Sequence, residues 1–482
     1  MVHILLSSTR HGGTMRNCLT ALLCLTALAC GGDDDGAADG APPADAQPDA
    51  QTVYDYCADA PATFTPIEPA TTYNTASEGF AVVYPTENPY SWDKAILGKI
   101  LFWEEQMSSD DTVACGTCHR TGAGGSDPRA GTGATFPSAI GGIHGAQGIR
   151  ACTIDEAGQV VYDDSNGSTT VQVTKRKPPT YLDAMFGSDL FWDGRALSAF
   201  TDPDTDEVAI AAGGGLESQV VGPPVNGVEM ACAERTWPDI HAKLENARPL
   251  AKARDIPPDM LYALCARPSY PELFEAAFGD PAITTKRIAF AIATHERTLI
   301  SNQTPYDRFQ SGDTAALTAE QQAGMNLVLG KGKCQRCHAA PLFGSSQFVN
   351  LGLINYDDPD GNVGTDTPHV DLGREEFTGL VEDRGKFRAT TMRNVGLREA
   401  QGVLHDGIGD GSSLDELMAA YNVPPKKDAH TDARMDPDVE GNLLGLTGEE
   451  ISQVLLFMRE GLTDPRVAAE EFPFDRPKLG SE

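Results

Sequence analysis

The sequence is poor in basic residues and contains no apolar run long enough to cross a membrane. It has 37 Lys and Arg against 69 Asp and Glu in 482 residues, a formal net charge of −32. Such a charge repels a phosphate backbone, which excludes nucleic-acid binding. A transmembrane helix needs about 20 consecutive apolar residues, and no segment after the amino terminus approaches this length.

Collagen-like repeats, coiled-coil periodicity and the composition of a wholly disordered chain are also absent. Hydrophobic residues make up 40% and charged residues 22%, which suits a soluble globular protein of two or three domains. Strand-like alternation is sparse, so we expect a mostly α fold with long loop insertions, the longest over 121–166 and 355–378. Periodicity predicts helices over 92–105, 284–300, 319–329, 414–421 and 448–460.

The amino terminus has the pattern of an export signal. Basic residues precede an apolar run, Leu19–Ala29, that has the length of a signal-peptide core. The run resembles a bacterial lipoprotein signal over 1–30, with Cys30 as the lipidated first residue of the mature chain. Residues 31–52 form an acidic, Ala- and Pro-rich linker that we expect to be disordered. The alternative is an ordinary secretion signal that is cleaved near Ala29. Either signal places the protein in the periplasm or at the cell surface.

Two of the cysteine patterns carry specific chemistry. Cys115–His119 and Cys334–His338 both read C-x-x-C-H, the attachment site of c-type haem. Two thiols on one helical turn can reach both vinyl groups of a porphyrin, and the adjoining His lies under the iron. Zinc would need paired motifs close together, and a redox dithiol does not require the His. We therefore expect two covalently bound haems, held by Cys115, Cys118 and His119 and by Cys334, Cys337 and His338.

Four further cysteines lie in the body of the chain, at Cys57, Cys152, Cys232 and Cys265. In an exported protein they predict one or two disulfides rather than a third cofactor. Four cysteines allow three pairings, and the sequence does not choose among them.

Several segments around these motifs, taken in order, resemble the bacterial dihaem cytochrome c peroxidase family, which includes the MauG-type protein-modifying enzymes. The segments are Leu97–Phe102, Phe191–Arg195, Glu296–Leu299, Phe387–Asn394 and His405–Gly407. The resemblance implies two cytochrome c-like domains: a peroxidatic haem domain over 85–305 and an electron-transfer haem domain over 306–478.

The resemblance also implies a peroxide-binding pocket at the first haem. Trp192 matches a Trp between the two haems, with a core aromatic residue as the alternative. Gln219 and Glu229 match the polar groups that face peroxide, and Pro223 matches an apolar wall. A buried carboxylate can move a proton between the two peroxide oxygens, although Glu229 could also be an ordinary acid at the start of a helix.

The distal ligand of the second haem separates the two branches of the family. Over Ser413–Tyr421 the peroxidases end in Met, whereas MauG-type proteins end in Tyr, and this chain has Tyr421. A phenolate favours oxidised iron, whereas a thioether favours reduced iron. Met418, on the same helical face, is the rival ligand, and a haem with neither ligand is the third possibility.

Some positions depart from the family pattern. Lys177 stands where the peroxidases have an Asn calcium ligand, and an ammonium cannot bind calcium although it can replace the charge, so calcium is doubtful. No His matches the removable distal ligand of the first haem. His144 is a weak candidate, and a surface loop His is the better interpretation. We expect His405 to support the second haem, with loop packing as the alternative.

These features predict a peroxidase that reduces hydrogen peroxide to water with electrons from a small cytochrome c or cupredoxin. The acidic body favours a basic or weakly bound donor. A MauG-like enzyme that oxidises aromatic residues of a partner protein is the alternative, and a dihaem electron carrier is the non-enzymatic one. Family members are often dimeric, so a homodimer is compatible with the resemblance.

Overall fold

The computed structural model describes most of the chain after residue 55. The described residues are 56–58, 60–66, 68, 70–73, 80–129, 145–163, 171–353, 371–407, 411–423, 428–435 and 444–482. The expected signal peptide with Cys30, the expected linker and His144 lie outside these ranges. Within them, no helix combines the length and apolar character needed to cross a membrane.

The described residues are mostly helical, as predicted. The helices are α1 Trp92–Phe102, α2 Cys115–Cys118, α3 Gly215–Val220, α4 Trp237–Asn246, α5 Pro258–Ala266, α6 Tyr270–Phe278, α7 Thr285–Glu296, α8 Pro305–Gln310, α9 Ala319–Leu329, α10 Glu375–Thr378, α11 Val395–Arg398, α12 Leu414–Tyr421, α13 Gly448–Leu456 and α14 Pro465–Ala468. The strands are β1 Gln147–Arg150, β2 Cys152–Ile154, β3 Val160–Tyr162, β4 Val171–Val173, β5 Phe200–Thr201, β6 Val208–Ile210, β7 Phe348–Val349 and β8 Phe387–Arg388.

Local capping explains where the predicted helices begin. The side chain of Thr318 accepts a hydrogen bond from the backbone N–H of Gln321 at the start of α9, and Ser413 does the same for α12. Both helices have the predicted bounds. The helices predicted over 92–105 and 284–300 end earlier, at Phe102 and Glu296, where short turns take over.

The segment 121–166, expected to be a loop, contains three short strands in its described part. β2 pairs antiparallel with β3, and β1 pairs with β4 beyond the segment. The Cys152–Cys232 disulfide ties this region to the chain before α4, and Cys57–Cys265 ties the start of the described chain to α5. Sequence reasoning missed the strands because each is only three or four residues long.

The buried apolar residues form two main cores. The first contains side chains from α1 and α4 to α7, and the second contains side chains from α8, α9, α12 and α13. Cys115 packs against the first core, and Cys334 and Tyr421 pack against the second. The carboxyl-terminal residues Phe474 and Leu479 return to the first core. Each core therefore carries one C-x-x-C-H motif.

Helices α1 and α7 pack directly against each other in the first core. A Cβ atom at Gly98 of α1 would overlap the carbonyl oxygen of Ala291 on α7, so glycine is needed at this crossing. This contact fixes α7 against α1.

Candidate active site

The first C-x-x-C-H motif forms one helical turn, α2, at the edge of the first core. The thiols of Cys115 and Cys118 are not in a disulfide. Burial raises the pKa of the Cys115 thiol to about 12 and raises that of Cys118 as well. A reactive redox dithiol needs a lowered thiol pKa, so the environment argues against that chemistry. The ring of Trp103 lies against Gly116, where any Cβ atom would overlap it.

The imidazole rings of both motifs are placed alike, each with Nδ1 near a backbone carbonyl oxygen. His119 Nδ1 lies 3.2 Å from the carbonyl oxygen of Gly125, and His338 Nδ1 lies 3.1 Å from that of Phe343. Burial lowers the pKa of both rings, which favours the neutral form. With Nδ1–H donating to a carbonyl, the lone pair of Nε2 is free to bind a metal ion.

A cavity of about 510 Å³ lies beside the first motif. This volume is within the range of cofactor and ligand sites. Its wall includes Cys115, Cys118 and His119 together with apolar side chains from α1, α3 and α7.

The three residues that the sequence assigned to the peroxide pocket all line this cavity: Gln219, Pro223 and Glu229. Gln219 lies on α3, and Glu229 lies in the turn that follows. Burial raises the pKa of the Glu229 carboxyl, while the charge of Arg195 opposes the rise. The structure thus brings together a haem motif, an amide and a carboxyl group that is hard to ionise.

A buried ion pair holds α3 in place. Arg297 donates to both carboxylate oxygens of Glu217, at 2.7 and 2.9 Å, and both side chains are buried. Asn88 donates a further hydrogen bond of 2.9 Å to Glu217. Because Glu217 is two residues before Gln219, this contact determines where the Gln219 amide lies along the cavity wall.

The residues of the cavity fit a porphyrin with its carboxylates. Arg388 lines the cavity and is buried, yet its Nε has no hydrogen-bond partner among the described residues. Burial lowers the pKa of its guanidinium to about 10. An unpaired buried cation is costly unless an anion joins it, and porphyrin carboxylates supply that charge.

Trp192 is buried and lines the cavity. Its backbone carbonyl accepts a 2.9 Å hydrogen bond from the N–H of Arg388, which belongs to the second half of the chain. Its ring meets the ring of His405 edge to face, with centroids 6.3 Å apart. The His405 ring in turn stacks on Phe387 at 3.8 Å. Trp192 and His405 therefore contact each other across the boundary between the halves.

Tyr421 ends α12 close to the second haem motif. Burial raises the pKa of its phenol, and the charges of Cys337 and Cys334 add to the rise. Met418 lies one turn earlier, buried in the second core. Both ligand candidates thus belong to the core that carries the second motif.

Lys177 occupies a buried position between the two halves. Its Nζ donates to the carbonyl oxygen of Gly402, and its backbone N–H donates a 2.8 Å hydrogen bond to the carbonyl oxygen of His405. Burial, together with the charge of Arg398, lowers the pKa of its ammonium to about 7. Among the described residues, no group of three or more acidic, His or Cys side chains could hold a metal ion.

Sequence reasoning assigned no role to two residues of this cavity, Arg388 and Glu296. Both lie in segments that carried the family resemblance, which was the available signal. The Nε of Arg388 and the Oε2 of Glu296 are buried and have no hydrogen-bond partner within the described ranges, a property that depends on distant parts of the chain.

Comparisons with known proteins agree with these features. Residues 92–315 match the family model described as di-haem cytochrome c peroxidase. "Cytochrome c peroxidase Ccp" of Escherichia coli K12 is 29% identical over 343 residues, covering 70% of this chain and 56% of that protein. The chain therefore spans little more than half of that relative's length.

Two further comparisons cover most of the described chain. "Methylamine utilization protein MauG" of Methylorubrum extorquens is 28% identical over 345 residues, 71% of this chain and 72% of that protein. The crystal structure of the diheme peroxidase BthA from Burkholderia thailandensis superposes with a TM-score of 0.54 at 18% identity, covering 83% of this chain and 92% of that one, and so shows the fold alone. The chain is therefore similar to the di-haem cytochrome c peroxidase family over residues 92–315, and to cytochrome c peroxidase and MauG proteins over about 70% of its length.

Proposed function

We propose that the protein is a dihaem peroxidase that reduces hydrogen peroxide to water. The observation that carries this proposal is the convergence of the first haem motif, Gln219, Glu229 and Trp192 on one cavity. In this proposal Cys115, Cys118 and His119 hold the peroxidatic haem. Cys334, Cys337 and His338 hold the electron-transfer haem, with Tyr421 as its distal ligand. The haem, when bound, supplies an iron that accepts peroxide and exchanges electrons with it.

The protein's own contribution at the first site is proton movement and orientation. Cleavage of the peroxide bond to give water requires a proton at the leaving oxygen. Burial raises the pKa of Glu229, so its carboxyl holds a proton more readily than an exposed glutamate does and can relay that proton. The Gln219 amide can donate to one oxygen of peroxide while Pro223 keeps the adjoining wall apolar.

Electrons must then cross between the two halves of the chain. Trp192 and His405 form the aromatic contact across this boundary, and the stacked Phe387 extends it into the second half. We propose that Trp192 lies on the electron route between the haems and that His405 positions it.

The donor in this proposal is a small cytochrome c or cupredoxin. The net charge of −32 favours a basic partner that is steered electrostatically. We place the reaction in the periplasm or at the cell surface, with a lipid anchor at Cys30 and a homodimer as further parts of the proposal.

The second candidate is a MauG-like enzyme that uses peroxide to oxidise aromatic residues of a partner protein. The specific observation in its favour is Tyr421 beside the second motif, because a phenolate ligand favours oxidised iron and would help to store oxidising equivalents. The 28% identity to MauG is compatible with it.

The decisive experiment is steady-state turnover of hydrogen peroxide with reduced cytochrome c. For the peroxidase we expect rapid turnover that falls about 100-fold or more in Glu229→Gln, in the range of a lost general acid or base. Glu245→Gln, an exposed carboxylate on α4, is the control and should keep full turnover. Negligible turnover together with a long-lived oxidised spectrum after peroxide would favour the MauG-like enzyme. Two bound haems without any spectral response to peroxide would contradict both.

A further inference from the structure

Four carboxyl groups line the first haem cavity, and they differ in their partners: Asp193, Glu229, Glu296 and Glu376. Asp193 and Glu376 are both paired with Arg176, at 2.7 and 3.2 Å. Glu229 has a place in the proposed reaction. Glu296 has neither an ion-pair partner among the described residues nor a role in that reaction.

Glu296 is the last residue of α7 and is only 3% exposed. Its Oε2 is fully buried and has no hydrogen-bond partner among the described residues. The neighbouring Arg297 does not neutralise it, because that guanidinium makes its two short hydrogen bonds to Glu217. A buried carboxylate without such a partner is strongly disfavoured, so the neutral acid is the stable form.

The charged groups on the neighbouring helices do not stabilise the ionised form of Glu296 enough to displace the neutral acid. On α1, Lys99 is engaged in two salt bridges with aspartates, and Lys94 donates to Asn88. On α7 itself, burial lowers the pKa of His295 to about 3, so its ring is neutral. The remaining charges are Arg297, which lowers the pKa of Glu296, and Glu217 of α3, which raises it. Desolvation outweighs both, and the pKa of Glu296 rises to about 8.

The field of Glu296 reaches the groups that attach the haem. Its charge raises the pKa of the Cys115 thiol and of the Tyr181 phenol. The ring of Tyr181 packs edge to face on the proximal imidazole of His119, with centroids 5.7 Å apart. A negative charge on Glu296 would therefore act on the first haem site through a medium of low polarity.

We propose that Glu296 is a second proton-binding residue of the first haem cavity, which is protonated at neutral pH and becomes a negative charge beside the haem in mildly alkaline solution. The O–H bond of the carboxyl group breaks as its proton passes to water, and no oxidant or reductant takes part. The inference rests on the proposed haem site but does not require peroxide turnover.

The new charge has a defined consequence for the haem. A nearby negative charge stabilises the oxidised iron relative to the reduced iron, so the reduction potential of the first haem should fall as the pH rises through the titration of Glu296. Glutamine in its place cannot ionise and should remove this part of the pH dependence.

The direct test is infrared titration of the holoprotein in D₂O between pH 6 and pH 10. We expect a carbonyl stretch of a buried carboxylic acid that is present at neutral pH and lost at alkaline pH, and we expect this component of the spectrum to be missing at all pH values in Glu296→Gln. Glu245→Gln should keep the band, and Glu229→Gln should keep the component that belongs to Glu296. Glu296→Asp retains an acid at the site and should show a band with a shifted midpoint. A band that survives unchanged in Glu296→Gln would overturn the proposal.

The second readout is potentiometric titration of both haems over the same pH range. In Glu296→Gln the fall in potential of one haem should be smaller than in the wild type, while the other haem should be unaffected. Identical curves for the variant and the wild type would also overturn the inference. If both signatures are observed but peroxide is not turned over, the inference on Glu296 holds and the proposed function is wrong. If peroxide is turned over fully but the infrared band is missing, the proposed function holds and the inference on Glu296 is wrong.

Discussion

The indole Nε1 of Trp192 donates a 2.8 Å hydrogen bond to the backbone carbonyl oxygen of Lys177. The Trp192 ring is thereby tied to its own half of the chain, while its backbone carbonyl is tied to Arg388 of the other half. These two hydrogen bonds restrict the side chain, which suits the position between the two haems that we propose for Trp192. Lys177 is thus both a neighbour of the cavity and the anchor of this ring.

Replacing Trp192 by Phe keeps an aromatic ring but removes the Nε1 hydrogen bond. We expect both haems to remain bound and peroxide turnover to fall at least about tenfold, equivalent to about 1.4 kcal/mol in the barrier. Steady-state kinetics with reduced cytochrome c measure the effect. Trp237→Phe, a buried Trp of α4, is the matched control and should keep its turnover. Equal rates in the two variants would remove Trp192 from the electron route.

Replacing Tyr421 by Phe removes the proposed phenolate ligand without changing the packing of α12. We expect the ferric spectrum of one haem to lose its low-spin signal, while the spectrum of the other haem is unchanged. Electron paramagnetic resonance of the oxidised protein measures this directly. Met418→Leu is the companion variant and should leave both signals in place. If Met418→Leu lost the low-spin signal and Tyr421→Phe kept it, Met418 would be the ligand. If neither variant changed the signal, neither residue would be a ligand.

Lys177 makes stability depend on pH in a defined direction. Its pKa of about 7 in the folded protein lies below the value of about 10.4 in an unfolded chain. Between these values the unfolded chain binds more protons, so this residue makes the free energy of unfolding rise with pH, by up to about 1.4 kcal/mol per pH unit. Urea unfolding of the wild type and of Lys177→Met at several pH values between 7 and 10 isolates the effect. Parallel curves would show that the ammonium is not desolvated.

We expect the Glu217–Arg297 pair to be the most sensitive contact of the wall formed by α3 in the proposed peroxide pocket. Glu217→Gln leaves a buried guanidinium without its counter-charge, and losing one partner of a buried pair costs about 3–5 kcal/mol. Urea unfolding measures the loss, and the displaced α3 should also weaken binding of ligands at the first haem. Asp280→Asn breaks the pair between Asp280 and Arg287, in which the Asp280 side chain is 52% exposed, and should change stability little. If both variants lost a similar free energy of unfolding, the Glu217–Arg297 pair would not behave as a buried ion pair.

Local chemistry in the sequence was sufficient for the haem motifs and for part of the fold. The C-x-x-C-H spacing works within one helical turn, so its meaning needs no knowledge of distant residues. Helices α9 and α12 were predicted with correct bounds because their apolar periodicity and their capping residues, Thr318 and Ser413, are also local. The short strands inside 121–166 were missed because their pairing partners, not their own residues, stabilise them.

The pairing of distant groups was decided by the tertiary structure alone. Cys57 joins Cys265 across 208 positions, and Cys152 joins Cys232 across 80, so four cysteines with three possible pairings become two defined disulfides. Glu296 and Arg297 are adjacent in the sequence, yet the arginine reaches Glu217 while Oε2 of the glutamate is buried at the cavity without a hydrogen-bond partner in the described part of the chain. Neighbours on a helix point in different directions, and what each one meets is determined by the helices packed against it. The sequence by itself therefore determined which cofactor the chain can attach, whereas packing decided which side chains around that cofactor carry a charge.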